Sequence, residues 1–174
     1  MTLLPPKTPS GAITVRAYED RDYDWVLALN EASVPAVNSL TPQELNEQLS
    51  EADWTGVAEG MGGARGILIV FAPGGTYRST NYAWFNAQAE AFVYVDRILV
   101  SEEARGQGLG RALYEALAAW ATEAGFPRIG CEVNEDPPNP VSMAFHERLG
   151  FQALTSRINP ADGKQVRMLE YRLS

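Results

Sequence analysis

Cysteine and histidine are almost absent from this chain: its 174 residues hold one of each, Cys131 and His146. One thiol excludes an internal disulfide and fits a reducing compartment, the cytoplasm. Basic residues are also few, 14 Lys and Arg against 22 Asp and Glu, for a net charge of −8. That balance argues against nucleic acid or an anionic membrane as partner, since both select a basic face, and it suits an amine or other cationic substrate. No stretch approaches the roughly 18 apolar residues of a membrane span. Met1 to Ser10 carries prolines and a lysine but no apolar run, so no signal peptide is expected. Internal repeats and low-complexity segments are lacking too.

What is present is enough for one packed domain, with 45% hydrophobic and 21% charged residues. The Pro-rich residues 1–11 read as a flexible tail ahead of a single domain over 12–174. Ile13, Val15 and Ala17 alternate with Thr14 and Arg16 as a first strand. Asp20 or Asp22 caps a helix with the apolar stripe Trp25, Val26, Leu29 and Ala32. Thr41-Pro42-Gln43-Glu44 combines a capping box with proline at the first helical position, and that second helix is expected to end near Asp53. Thr55 to Glu59 and Gly66 to Phe71 read as a hairpin around Gly60-Met61-Gly62-Gly63. From Ala72 to Ala89 there is no clear period, yet Tyr77, Tyr82, Trp84 and Phe85 lie there, either covering the core or serving function. Ala91 to Val100 is a strand, a helix follows to about Ala124, and Arg128 to Val133 returns as a strand, a pattern of parallel crossover. Asn139-Pro140 starts a last helix that Gly150 ends, and Phe151 to Arg157 and Gln165 to Leu173 close the chain as two strands. The fold class is therefore α/β with a mixed sheet.

The most specific stretch is Arg105-Gly106-Gln107-Gly108-Leu109-Gly110-Arg111, between a strand and an amphipathic helix. A helix start there directs unpaired N–H groups and a partial positive charge at one spot, which suits a phosphate. Two flanking guanidiniums, Arg105 and Arg111, suit a pyrophosphate. The stretch is not a P-loop, because no Gly-Lys-Ser/Thr follows. Nor is it the dinucleotide fingerprint, whose third glycine position falls on Arg111. On glycine spacing alone, a tight turn that binds nothing remains an alternative.

Val100 to Gly110 resembles the acyl-CoA motif of the GNAT superfamily of N-acetyltransferases: Gln or Arg, two residues, Gly, one residue, then Gly or Ala. A second block, Asn139, Ser142 and His146-Glu147-Arg148-Leu149-Gly150-Phe151, is similar to the family's late helix. There an asparagine is followed seven residues on by tyrosine and then by a Leu-Gly-Phe ending. The element order from Ile13 to Leu173 matches as well, so the resemblance covers nearly the whole chain. It implies a GNAT-like mixed sheet of about seven strands with about four helices. It also implies acetyl-CoA as acyl donor without a metal, direct attack by a primary amine in a ternary complex, and frequent homodimers.

Position by position, the resemblance implies that the backbone of Ile98, Leu99 and Val100 meets the acetyl and pantetheine portion where the strand splays from its neighbour. Arg105 and the amides of Gly106, Gln107, Gly108, Leu109, Gly110 and Arg111 would hold the pyrophosphate. Asn139 would contact the pantetheine arm; helix capping explains it equally. His146 stands where the family usually has the tyrosine that protonates the departing thiolate, and an imidazole can serve as that general acid. A helix residue without catalytic duty is the alternative. Glu132 is the expected general base and Asp96 the second candidate; Glu132 as a solvated carboxylate or a partner of Arg97 or Arg128 is the bland reading. Cys131 has no activating neighbour in sequence, so a buried strand thiol is expected. A non-catalytic acyl-CoA-binding or sensing module with the same fold stays open, as does, less well supported, an ordinary nucleotide-binding domain. Acceptor recognition would fall to the first two helices, the long aromatic stretch and the final hairpin.

Overall fold

The structure, a computed structural model, describes residues 12–174; the tail expected over 1–11 lies outside them. Thr14–Ala17 (β1), Trp54–Gly60 (β2), Gly63–Phe71 (β3), Val93–Val100 (β4), Arg128–Asp136 (β5), Gln152–Ile158 (β6) and Gln165–Arg172 (β7) form one sheet. Its order is β1-β2-β3-β4-β5-β7-β6, antiparallel at every step except β4–β5, which is parallel. The helices are Tyr23–Ala32 (α1), Pro42–Glu51 (α2), Thr80–Asn86 (α3), Leu109–Glu123 (α4) and Pro140–Leu149 (α5).

Five α-helices among the described residues, rather than four, correct the expectation, and the addition is α3. It lies in the aromatic stretch and is only seven residues long, too short to show a helical period. Ser79 caps it by accepting from the Tyr82 amide at 3.2 Å, and its Tyr82 and Phe85 are buried. The capping box read at Thr41 is present, with Glu44 N–H donating to Thr41 Oγ1 and Thr41 N–H to Glu44 Oε2.

Each face of the sheet has its own core. Leu68, Val70, Val93 and Val95 pack with Leu113 and Leu117 of α4, whereas Ile67, Ile69, Phe71 and Tyr94 pack with Val26 of α1 and Leu45 of α2. The alternation in β3 is the period of two that sends neighbouring side chains to opposite faces. In β4 that alternation breaks. Ile69 pairs with Arg97 but Val70 pairs with Val95, so Asp96 is an inserted residue, a β-bulge. Beyond it the faces exchange: Leu99 joins the α1–α2 side while Ile98 and Val100 pack on the α4 side. Asp96 and Arg97 consequently reach the same side of the sheet, which a regular strand forbids.

Gly130 of β5 lies under the buried Phe85 ring of α3, where any Cβ would run into that ring. A Gly130→Ala variant is expected to lose about 1–3 kcal/mol of stability through overpacking, read from its urea midpoint. An unchanged midpoint would show that α3 yields easily.

Candidate functional site

The site begins where β4 and β5 part. Among the described residues they pair at Val93↔Ile129 and Tyr94↔Gly130 and nowhere beyond. From there β4 follows β3 to Val100↔Gly66, while β5 follows β7 to Asp136↔Gln165. The backbone of Ile98, Leu99 and Val100 therefore borders an opening instead of a neighbouring strand.

The glycine turn closes one end of this opening. After Val100 a single 3-10 turn, Glu102–Ala104, leads into Gly106 and Gly108, both at positive φ, 76° and 94°. Only glycine adopts such angles without strain. The Ala112 amide is the first to reach back, to Gly108 O at 3.0 Å, so the amides of Leu109 and Gly110 ahead of it have no helical partner. Gly110 serves packing: a Cβ there would stand 2.9 Å from the Phe145 ring of α5 and 3.7 Å from Ile98. Arg105, Gly106 and Gln107 are exposed, and Arg111 stands 3.9 Å from Glu115. Asn139 caps α5, its Oδ1 accepting from the Ser142 amide at 3.2 Å, and also lines a small cavity in the opening.

That cavity, about 100 Å³, brings together Tyr114, Cys131, Glu132, Asn139, Ser142 and His146. Glu132 is also in the wall of a much larger cleft of about 1140 Å³ on the α1–α2 side, so it stands between the two. Neither arginine named as a partner for it takes that role. Arg97 is held by Asp96 at 2.7 Å and by the Asn30 and Asn38 side chains, and Arg128 pairs with Glu170 and Glu90. Glu132 accepts from the Tyr94 hydroxyl at 2.9 Å, while its Oε2 has no hydrogen-bond partner among the described residues. Burial, and then the Asp96 charge, push its pKa up to about 8. Asp96, the second candidate, is committed to Arg97 and to the Tyr77 hydroxyl at 2.6 Å.

His146 is buried, 2% exposed. Its Nδ1 lies 2.8 Å from the Ser142 carbonyl oxygen, which can only accept, so the ring proton sits on Nδ1. Nε2 then accepts from the Tyr114 hydroxyl at 2.7 Å. Burial holds the imidazole down to about 4. An imidazole serving as general acid is expected to keep a useful protonated fraction at neutral pH; burial removes that fraction, and His146 is neutral with both nitrogens engaged. Tyr114 is not singled out from the sequence, because nothing within a few residues of it marks a hydroxyl that meets His146, 32 residues on. Cys131 is buried, and burial pushes its thiol well up, as an inert strand cysteine requires.

The sequence profile of the acetyltransferase (GNAT) family matches residues 46–151, the span that holds the opening, the glycine turn and α5. The chain belongs to the acetyltransferase (GNAT) family. It is 26% identical over 161 residues to a mycothiol acetyltransferase of Jonesia denitrificans, covering 90% of this chain and 48% of that protein. It is 31% identical over 163 residues to one of Salinispora tropica, covering 88% and 49%. The chain thus spans about half the length of the curated relatives it matches. Among solved structures it is similar to a GNAT superfamily phosphinothricin acetyltransferase of Sinorhizobium meliloti in complex with AcCoA. There the TM-score is 0.70 and the identity 21%, over 93% of this chain and 89% of that one, a likeness of fold.

In this GNAT domain the raised pKa of Glu132 has a consequence for stability. A carboxyl whose folded pKa lies above its unfolded value binds its proton more tightly when folded, so its contribution is lost as pH rises from about 4.5 to about 8. His146, with a lowered pKa, acts mainly below 6.5. Between pH 6.5 and 8 the melting temperature of the wild type should therefore fall relative to that of Glu132→Gln. Parallel curves would mean that burial does not raise the Glu132 pKa.

Proposed function

We propose that the protein transfers the acetyl group of acetyl-CoA to a primary amine by direct attack in a ternary complex. The observation that carries this reading is the parted β4–β5 edge, with helix-start amides of the glycine turn at one end and the Glu132 carboxylate, which has no cationic partner among the described residues, lining both cavities. The residues fit such a donor. Glycine-turn amides and the Arg105 and Arg111 guanidiniums suit a pyrophosphate, and an unpaired strand edge suits the amide-bearing pantetheine arm. The inert Cys131 supports direct attack over an acetyl-cysteine route.

In this mechanism the ionised fraction of Glu132 takes the proton of the incoming ammonium, a role for which a pKa near the working pH is best. The backbone N–H groups along Ile98 to Val100 polarise the thioester carbonyl. Holding the amine in the large cleft against the opening supplies much of the acceleration. Protonation of the departing thiolate falls to Tyr114, whose hydroxyl proton turns from His146 Nε2 to the sulfur; the tyrosinate left behind takes a proton back from solvent once the products leave. Tyr114 keeps its hydroxyl proton because burial raises its pKa well above the ordinary value, and neutral His146 holds that hydroxyl in the small cavity.

A non-catalytic acyl-CoA-binding module has one observation in its favour, the neutral His146 at the position of the family's usual acid. Free thiol released from acetyl-CoA with a panel of primary amines separates the two; CoA binding without thiol release would favour the module. In the enzyme, kcat/KM should rise with pH through about 8, and Glu132→Gln should remove that limb and leave only the titration of the amine. An identical profile in the variant would place the base elsewhere. Tyr114→Phe is expected to lower kcat by about 10²–10⁴-fold; a loss under about tenfold would remove the hydroxyl from the proton path. Gly106→Val, strained at φ 76° in an exposed loop, should lose about 1–3 kcal/mol of stability and, in the folded protein, weaken CoA binding at least about tenfold.

A further inference from the structure

The large cleft is more elaborate than a lone amine requires. Its α2 wall presents Glu44, Glu47, Gln48 and Glu51, all within two helical turns, and Asp162 of the β6–β7 turn also lines it. The Thr41 amide and hydroxyl hold Glu44 below its ordinary pKa, so it stays ionised. Of the guanidiniums in the lining, Arg97 is neutralised by Asp96, which leaves Arg78 against these carboxylates. Acidity alone would describe any solvated helix face. The second observation concerns Gln48.

Gln48 is only 8% exposed, and the orientation of its amide is fixed by its neighbours. Asp96 receives Arg97 Nε on one oxygen and the Tyr77 hydroxyl, at 2.6 Å, on the other. The Tyr77 proton is thereby committed, so its oxygen accepts, and the Gln48 group 3.1 Å away is the donating Nε2. Gln48 Oε1 is left buried, with no hydrogen-bond partner among the described residues. A buried carbonyl without a donor is unfavourable, and Gln48 belongs to the cleft wall, so a ligand that brings an N–H or O–H to it gains by doing so. The glutamates on either side of it favour a donor that is positively charged.

We propose that the acceptor bears a second cationic group besides the amine that reacts, held by Gln48 Oε1 and the α2 carboxylates, so that the substrate class is a di- or polyamine. This rests on the acetyl-transfer reading above. Glu132 and Gln48 line the same cleft, so one amino group at Glu132 and another at Gln48 occupy the two ends of a single extended molecule.

The test compares linear diamines from ethylenediamine to hexamethylenediamine with the amino-alcohols of equal length. Two readouts are taken: KM from thiol release, and Kd by calorimetry on the protein saturated with CoA. At least one diamine should bind at least about tenfold tighter than its amino-alcohol, the worth of one hydrogen bond to a charged group. That preference should shrink with added salt. In Gln48→Met, and separately in Glu47→Gln/Glu51→Gln, the ratio of the two constants should fall toward one. Equal constants for diamine and amino-alcohol throughout the series overturn the inference, and acetyl transfer stands if thiol is still released. A diamine preference in Kd without thiol release supports this site while overturning the acetyl-transfer reading. A diamine preference that survives in both variants also overturns the assignment, placing the second cation elsewhere.

Discussion

The parting of β4 from β5 after Tyr94 and Gly130 is the constraint on which the rest of the site depends. Each strand keeps a partner on its far side, so the sheet loses no continuity at its flanks, but the facing edges are left unpaired. An unsatisfied backbone group shut away from water is unfavourable by about 1–3 kcal/mol, so such an opening persists when solvent or a ligand can enter it. Val95 and Ile98 from one strand and Cys131 and Val133 from the other line the small cavity that results. The glycine turn, Asn139 and Glu132 gain meaning from that space. Without it they are a tight turn, a helix cap and a strand carboxylate.

Charge is arranged so that one carboxylate is left uncompensated. The bulge at Asp96 turns both Asp96 and Arg97 toward the α1–α2 side, where they pair with each other. Arg128 is occupied by Glu170 and Glu90 at the other end of β5. Glu132, four residues beyond Arg128, has no cationic partner among the described residues; the Tyr94 hydroxyl and the Asn81 side chain favour its charged form, yet burial and the Asp96 charge outweigh them and raise its pKa. His146, which lines the same small cavity, is kept neutral by the same desolvation acting on a cation. One buried environment thus moves a carboxyl and an imidazole in opposite directions.

Much of this was legible in the sequence because it depends on local rules. The alternation of Ile13, Val15 and Ala17, the capping box at Thr41 and Glu44, the glycines at Gly106 and Gly108 and the asparagine cap at Asn139 each leave a mark within a few residues. The large cleft is lined by α2, the aromatic stretch and the β6–β7 turn, three segments far apart in the chain. What could not be read is non-local. The bulge at Asp96 exists only in register with Ile69 and Val70. The Tyr114–His146 hydrogen bond joins two helices 32 residues apart in sequence. The open carbonyl of Gln48 follows from a chain of donors through Tyr77 to Asp96. The short helix α3 was hidden because seven residues rich in aromatics carry no period.

The central claim is that the parted strand edge and the glycine turn together hold the acyl donor. Residue-resolved amide hydrogen exchange of the protein with and without saturating CoA tests it most directly. The account predicts new protection at Ile98 to Val100 and at Gly106 to Arg111, two segments on different elements, within one binding isotherm. CoA binding that leaves both segments unprotected, or protects residues away from the β4–β5 opening, would contradict it.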